Sequence, residues 1–153
     1  LPEDSVTPAL TLRAATPDDI DAVVALHRAA AAKPDGLARR PDEITRGYVE
    51  HAVTGAGAVS FVAVGPDRAI WGEIHGRRES VALFSHVLSS LTVAVHPERQ
   101  GLGIGSSLFE ALIAHARSMD PPILRIELAA LLRFFLLASL RVGLLLRASS
   151  GPA

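Results

Sequence analysis

The chain has 153 residues, of which 49% are hydrophobic, and 15 basic against 16 acidic side chains leave a net charge of −1. That length suits one domain with its own core, and the apolar content excludes a chain disordered throughout. Balanced charge argues against nucleic-acid binding, which gathers a basic excess on one face, and the lack of any cysteine excludes disulfides, thiolate zinc sites and cysteine nucleophiles.

The chain begins at Leu1 rather than Met, which leaves a missing or processed N-terminus open. Residues 1–9 form a loose acidic leader without the apolar core of a signal peptide, and a cytoplasmic protein is expected. Leu10 to Ala14 alternates as a half-buried strand does. Thr16-Pro17-Asp18-Asp19 starts a helix: Thr16 can cap, Pro17 suits the first turn, and the acids favour the positive end of the dipole. Ile20, Val23, Val24 and His27 follow at helical spacing. After a break over Lys33–Arg40, Asp42–Val53 predicts a second helix. Val59–Val64 and Ala69–Gly76 are strands joined by the turn at Gly65-Pro66-Asp67-Arg68, hence a hairpin. Leu88–Val95 is a third strand of that run. Ser106–Arg117 is amphipathic, with Leu108, Phe109, Leu112, Ile113 and Ala116 on one side. Ile123–Leu128 is a short strand, and a crossover through the helix makes it a parallel neighbour of Leu88–Val95. This order predicts a mixed α/β sheet.

Chemistry concentrates between Val93 and Ser107, where a strand runs through a glycine-rich turn into a helix. The first amides of a helix lack partners within it, and the helix dipole adds partial positive charge there. Glycines at 101, 103 and 105 let the backbone approach a bulky anion, so a pyrophosphate could be held by amides alone. A plain connector would carry such glycines too. The spacing is neither the G-x-G-x-x-G of a dinucleotide fold nor a Walker loop, which needs Gly-Lys-Ser/Thr.

Gln100-Gly101-Leu102-Gly103-Ile104-Gly105 resembles the Q/R-x-x-G-x-G/A motif of the GNAT N-acetyltransferase superfamily, and Val93–Arg99 before it and Ser106–Ile113 after it resemble that family's motif A. The resemblance implies a mixed, mostly antiparallel central sheet with flanking helices and a splayed parallel strand pair that binds CoA, in one domain over 1–153. It implies that Val93, Ala94 and Val95 meet the pantetheine arm through their backbone. Gln100, Gly101, Leu102, Gly103, Ile104, Gly105 and Ser106 would hold the pyrophosphate of acetyl-CoA, the co-substrate, with an amide near Val93 stabilising the oxyanion. The implied reaction is transfer of acetyl to a primary amine of a small molecule, peptide or protein, with no metal.

That reaction needs a neutral amine, hence a base or a water chain. Trp71, Glu73 and His75 alternate in one strand and so share a face. Glu73 is the first candidate base and His75 the second, since an unperturbed imidazole titrates near ~6.5. Glu73 could equally be a solvated strand carboxylate, and His75 a substrate contact or an exposed hairpin residue. His27, His51 and His115 read as structural or solvated, with spacing that offers no metal site. Arg77, Arg78 and Glu79 read as a solvated hairpin tip.

The resemblance stops at Ile123–Leu128. The family continues with an asparagine turn and a helical tyrosine that acts as general acid, expected near Leu140 or Arg141. This chain has no asparagine, and its one tyrosine is Tyr48. Residues 129–153 are Leu- and Arg-rich, which fits an altered reading frame, a variant lacking the acid, or an amphipathic docking segment. Arg133, Arg141 and Arg147 interrupt it well short of a ~20-residue span. Two alternatives follow: a non-catalytic acyl-CoA-binding module, and an interaction protein with an apolar C-terminus. A homodimer remains open.

Overall fold

A computed structural model describes residues 9–34, 36–129 and 145–149. Among them six strands form one sheet in the order β1-β2-β3-β4-β5-β6: Thr11–Ala14, Ala58–Val64, Ile70–Arg78, Val87–Val95, Arg125–Ala129 and Leu145–Ser149. The first four pair antiparallel, and β4–β5 and β5–β6 pair parallel. This is the mixed sheet the sequence predicts, with β6 as an addition in the atypical tail. The positions near Leu140 and Arg141 lie outside the described residues. No described helix is long and apolar enough to cross a membrane.

Helices α1 (Ile20–Ala31) and α2 (Arg46–Thr54) cover one face, and α3 (Ile104–Ser118) the other. Ile20, Val23 and Val24 of α1 pack with Ile44, Val49 and Val62. Leu108, Leu112, Ile113 and Ala116 of α3 pack against Val59, Ile74, Leu88 and Ile126. Gly72 lets α3 lie close on β3, since a Cβ there would come within 2.7 Å of Ile104 and 2.9 Å of Leu108.

Several boundaries differ from the predicted ones for physical reasons. A 3-10 turn at Pro17–Asp19 precedes α1. There the capping acceptor is Asp19 rather than Thr16: its carboxylate accepts from the Thr16 N–H at 2.8 Å and the Thr16 hydroxyl at 3.1 Å. Arg13 grips the same carboxylate through two bonds of 2.7 and 2.9 Å. Asp42 belongs to another 3-10 turn, and α2 starts after Thr45, whose hydroxyl accepts from the Tyr48 N–H. Helix α3 begins two residues before the predicted start because Gly103 adopts φ 76°, a left-handed conformation that turns the loop directly into the helix.

Candidate active site

Strand β4 is bent where the site lies. Ser89 faces Arg77 and Thr92 faces His75, so Ser90 and Leu91 together oppose Gly76 alone. Ser90 takes φ 57°. This is a β-bulge, an extra residue that re-aims a strand. The described pairing of β5 with β4 ends at Leu91↔Leu128, while β4 runs on to Val95 with β3 on its other edge. Thr92–Val95 therefore turn a backbone edge away from β3, at the point where the two parallel strands part.

The expected cofactor positions fall along this edge and the loop after it. Ala94 is buried against Leu26 and Ala30 of α1, so only its backbone can meet a ligand, while Val93 and Val95 pack toward α3. Gly101 and Gly103 have φ 79° and 76°, and a Cβ on either would meet nothing within 4 Å, so the loop faces open space. Ser107 donates its N–H to the Gly103 carbonyl at 3.0 Å, which leaves the amides of Ile104, Gly105 and Ser106 as the first turn of α3. The residues present fit a bulky anion. Beside them Arg99 lies 4.2 Å over the Trp71 ring and 3.8 Å from Asp67. Trp71 sits at the irregularity between Ala63 and Val64 of the hairpin, and packs in the cluster under α3. It does not share the face of Glu73 and His75, contrary to simple alternation.

Glu73 and His75 do share a face, the one under α1 and α2. Glu73 has no exposed surface, which overturns the solvated-carboxylate alternative. The Ser60 hydroxyl donates to Oε1 at 2.6 Å, His27 Nε2 lies 2.7 Å from Oε2, and His75 Nδ1 lies 3.1 Å from each oxygen. Burial works against ionisation of Glu73, but the positive charge that His75 carries when protonated and hydrogen bonds from His27 and His75 outweigh it and hold the carboxyl well below the usual carboxylate range. Tyr48, from α2, places its hydroxyl 3.3 Å from His75 Nε2.

One tautomer assignment satisfies this network. With protons on His27 Nε2 and His75 Nδ1, the carboxylate accepts three donors, and His75 Nε2 keeps a lone pair that accepts from Tyr48. The remaining ring nitrogen, His27 Nδ1, is then an acceptor, and among the described residues it is buried without a partner. His27, Glu73 and His75 are also ligand types, with donor atoms within 4.8 Å of one another. Of the three histidines whose spacing offered no metal site, His27, His51 and His115, the first therefore belongs to a group of possible ligands after all. His27 and His75, however, converge on the carboxylate oxygens themselves.

A cavity of about 650 Å³ opens against this network. It brings His75 and Tyr48 together with Ser90 and Thr92 of the bulged strand, and with Arg39 and Arg77. Sequence reasoning missed His27, Tyr48 and Ser60. His27 gave the one available signal, a histidine on the apolar face of α1. His51 lines the cavity too, and His115 packs edge-on to Phe61. Arg77 and Arg78 are not a solvated tip. They remain in β3 and donate to backbone carbonyls, Arg77 to His51 and Ala56, Arg78 to Asp120 and Pro121.

A family model described as the acetyltransferase (GNAT) family matches residues 35–131. No curated protein sequence matches the chain. Among solved structures, a GNAT-family acetyltransferase from Streptococcus pneumoniae is similar at 19% identity and a TM-score of 0.63, over 88% of this chain and 83% of that one. A GCN5-related N-acetyltransferase from Kribbella flavida aligns at 24% identity and a TM-score of 0.58, over 69% of this chain and 64% of that one. A phosphinothricin acetyltransferase from Sinorhizobium meliloti, in complex with acetyl-CoA, aligns at 21% identity and a TM-score of 0.58, over 69% and 58%. The chain thus spans less than two thirds of the last two proteins, and likeness at these identities shows the fold.

Proposed function

The chain belongs to the GNAT acetyltransferase family, and from that premise we propose that it transfers the acetyl group of acetyl-CoA to a primary amine, acting as one cytoplasmic domain. The observation that carries this reading is the cavity in which the His75–Tyr48 pair faces the bulged segment of β4. A proton acceptor and an exposed strand edge are brought to one place, as acyl transfer to an amine requires.

The backbone of Val93, Ala94 and Val95 would hold the pantetheine arm, and the amides from Gln100 through Ser106 the pyrophosphate. The thioester carbonyl is the electrophile. His75 is the base: its Nε2 takes the proton of the amine, directly or through the Tyr48 hydroxyl, as the C–N bond forms. Glu73 acts through His75 rather than on the substrate. Three donors occupy its oxygens, so it fixes the ring tautomer and stabilises the imidazolium, the role a carboxylate plays behind a catalytic histidine. An amide near Val93 carries the charge that builds on the carbonyl oxygen. The C–S bond then breaks, and the imidazolium returns its proton to the departing thiolate, so that amine and thioester become amide and thiol.

The test is release of CoA thiol from acetyl-CoA over a panel of amines, together with calorimetric binding of acetyl-CoA. Absence of binding overturns the reading, and binding without turnover assigns a non-catalytic module.

A further inference from the structure

Two guanidinium groups, those of Arg39 and Arg77, line the acceptor cavity, and among the described residues neither forms an ion pair with a carboxylate. Arg39 lies 4.4 Å from the centroid of the Tyr48 ring, and among the described residues it forms no ion pair. Among the described residues Arg77 donates to the carbonyls of His51 and Ala56. Two carboxylates, Glu79 and Glu127, line the same cavity. Glu127 lies 3.1 Å from Arg125, and among the described residues Glu79 forms no ion pair with Arg39 or Arg77. Tyr48 links the two halves of the cavity: its ring carries Arg39 on one face, and its hydroxyl meets the proton acceptor His75. Stacking leaves the edge of a guanidinium free, and its planar fork of donors matches a carboxylate or phosphonate bidentately.

We propose that Arg39, stacked on Tyr48, is an oxyanion-binding subsite, and that the acceptor is an amine carrying a carboxylate or phosphonate a few bonds from its nitrogen, as an amino acid does. This proposal rests on the acetyl-transfer reading of the same cavity. The anion sits on Arg39 beside the tyrosine ring and the nitrogen reaches His75, so one side chain sets the spacing between them. Arg77, which lines the same cavity, adds positive potential while its donors stay on the backbone.

The experiment compares an α-amino acid, its carboxamide and its aminophosphonate analogue as acceptors, in the wild-type protein and in Arg39→Ala and Arg39→Lys. Charge-assisted hydrogen bonds of this kind are worth about 1.5–3 kcal/mol, so the wild type should favour the anionic acceptors over the carboxamide by on the order of 10- to 100-fold in kcat/KM. That ratio should collapse in Arg39→Ala and survive in part in Arg39→Lys, which keeps the charge and loses the fork. The relative rates of the amino acid and the aminophosphonate identify the anion. An equal ratio in wild type and Arg39→Ala overturns the subsite. Calorimetric binding of the same compounds, without acetyl-CoA, reads the subsite independently. Selective binding of the anionic amines with no turnover of any acceptor upholds the subsite and sinks acetyl transfer. Turnover without anion preference does the reverse.

Discussion

His75 Nδ1 lies 3.1 Å from both carboxylate oxygens of Glu73, inside a sheet face that leaves Glu73 no exposed surface. The pair divides proton chemistry between a buried charge that orients and an imidazole that reaches the cavity. His75→Ala should lower kcat by on the order of 10²–10⁴, the usual contribution of a positioned acid–base group. Glu73→Gln removes the charge while keeping the shape, and should lower kcat while acetyl-CoA affinity, measured by calorimetry, stays within about twofold. If kcat survives in His75→Ala, the base lies elsewhere.

Tyr48→Phe keeps the ring under Arg39 and removes the hydroxyl that meets His75. One neutral hydrogen bond is worth about 1 kcal/mol, so kcat should fall roughly fivefold if Tyr48 only orients the imidazole. A loss beyond about 100-fold would make the hydroxyl an obligatory carrier of the proton. Steady-state rates on the amine panel separate the two outcomes.

The His27–Glu73–His75 cluster makes a chelation experiment decisive. Its carboxylate already accepts three donors, so both carboxylate oxygens are occupied by protein groups, while His27 Nδ1 is left without a partner among the described residues. Dialysis against EDTA should leave turnover unchanged. Activity lost on chelation and restored by zinc would reassign these side chains as ligands.

The local parts of this architecture were legible in the sequence because they are short-range patterns. The strand, glycine turn and helix from Val93 to Ser107 lie within fifteen consecutive residues, and strand alternation marked the β2–β3 hairpin. The acid–base network was not legible beyond Glu73 and His75. Its members come from α1, α2, β2 and β3, and His27 and Glu73 stand 46 positions apart. Only packing of two helices on the sheet gathers them. Trp71 misled for a different reason: an irregularity in the hairpin breaks the period-two rule at that residue.

Asp19 gives a pH prediction about stability. Hydrogen bonds from Arg13 act first among the causes that lower its carboxyl to about 2, against an opposing effect of burial. A carboxyl depressed in the folded state binds more protons when unfolded, so stability rises with pH between about 2 and the unfolded value near ~3.9. Above that window the contribution is fully present, and it is lost as pH falls through the folded value. Arg13 is partly exposed, which screens the pair to about 1 kcal/mol. Asp19→Asn should therefore lower stability by that amount at neutral pH and flatten the acid limb of urea midpoints measured against pH. An unchanged acid limb would remove Asp19 from the account.

Gly103 separates fold from ligand binding. At φ 76° it caps α3 in the left-handed region, yet a Cβ there meets nothing in the protein. Gly103→Val therefore introduces backbone strain of about 1–2 kcal/mol without a clash, and most of the fold's stability should survive. The added side chain projects into the open space in front of the first amides of α3, where a pyrophosphate would have to approach. Acetyl-CoA affinity should drop at least tenfold by calorimetry, while circular dichroism and the cooperative melt persist. Affinity retained in a folded Gly103→Val would place the pyrophosphate somewhere other than this loop.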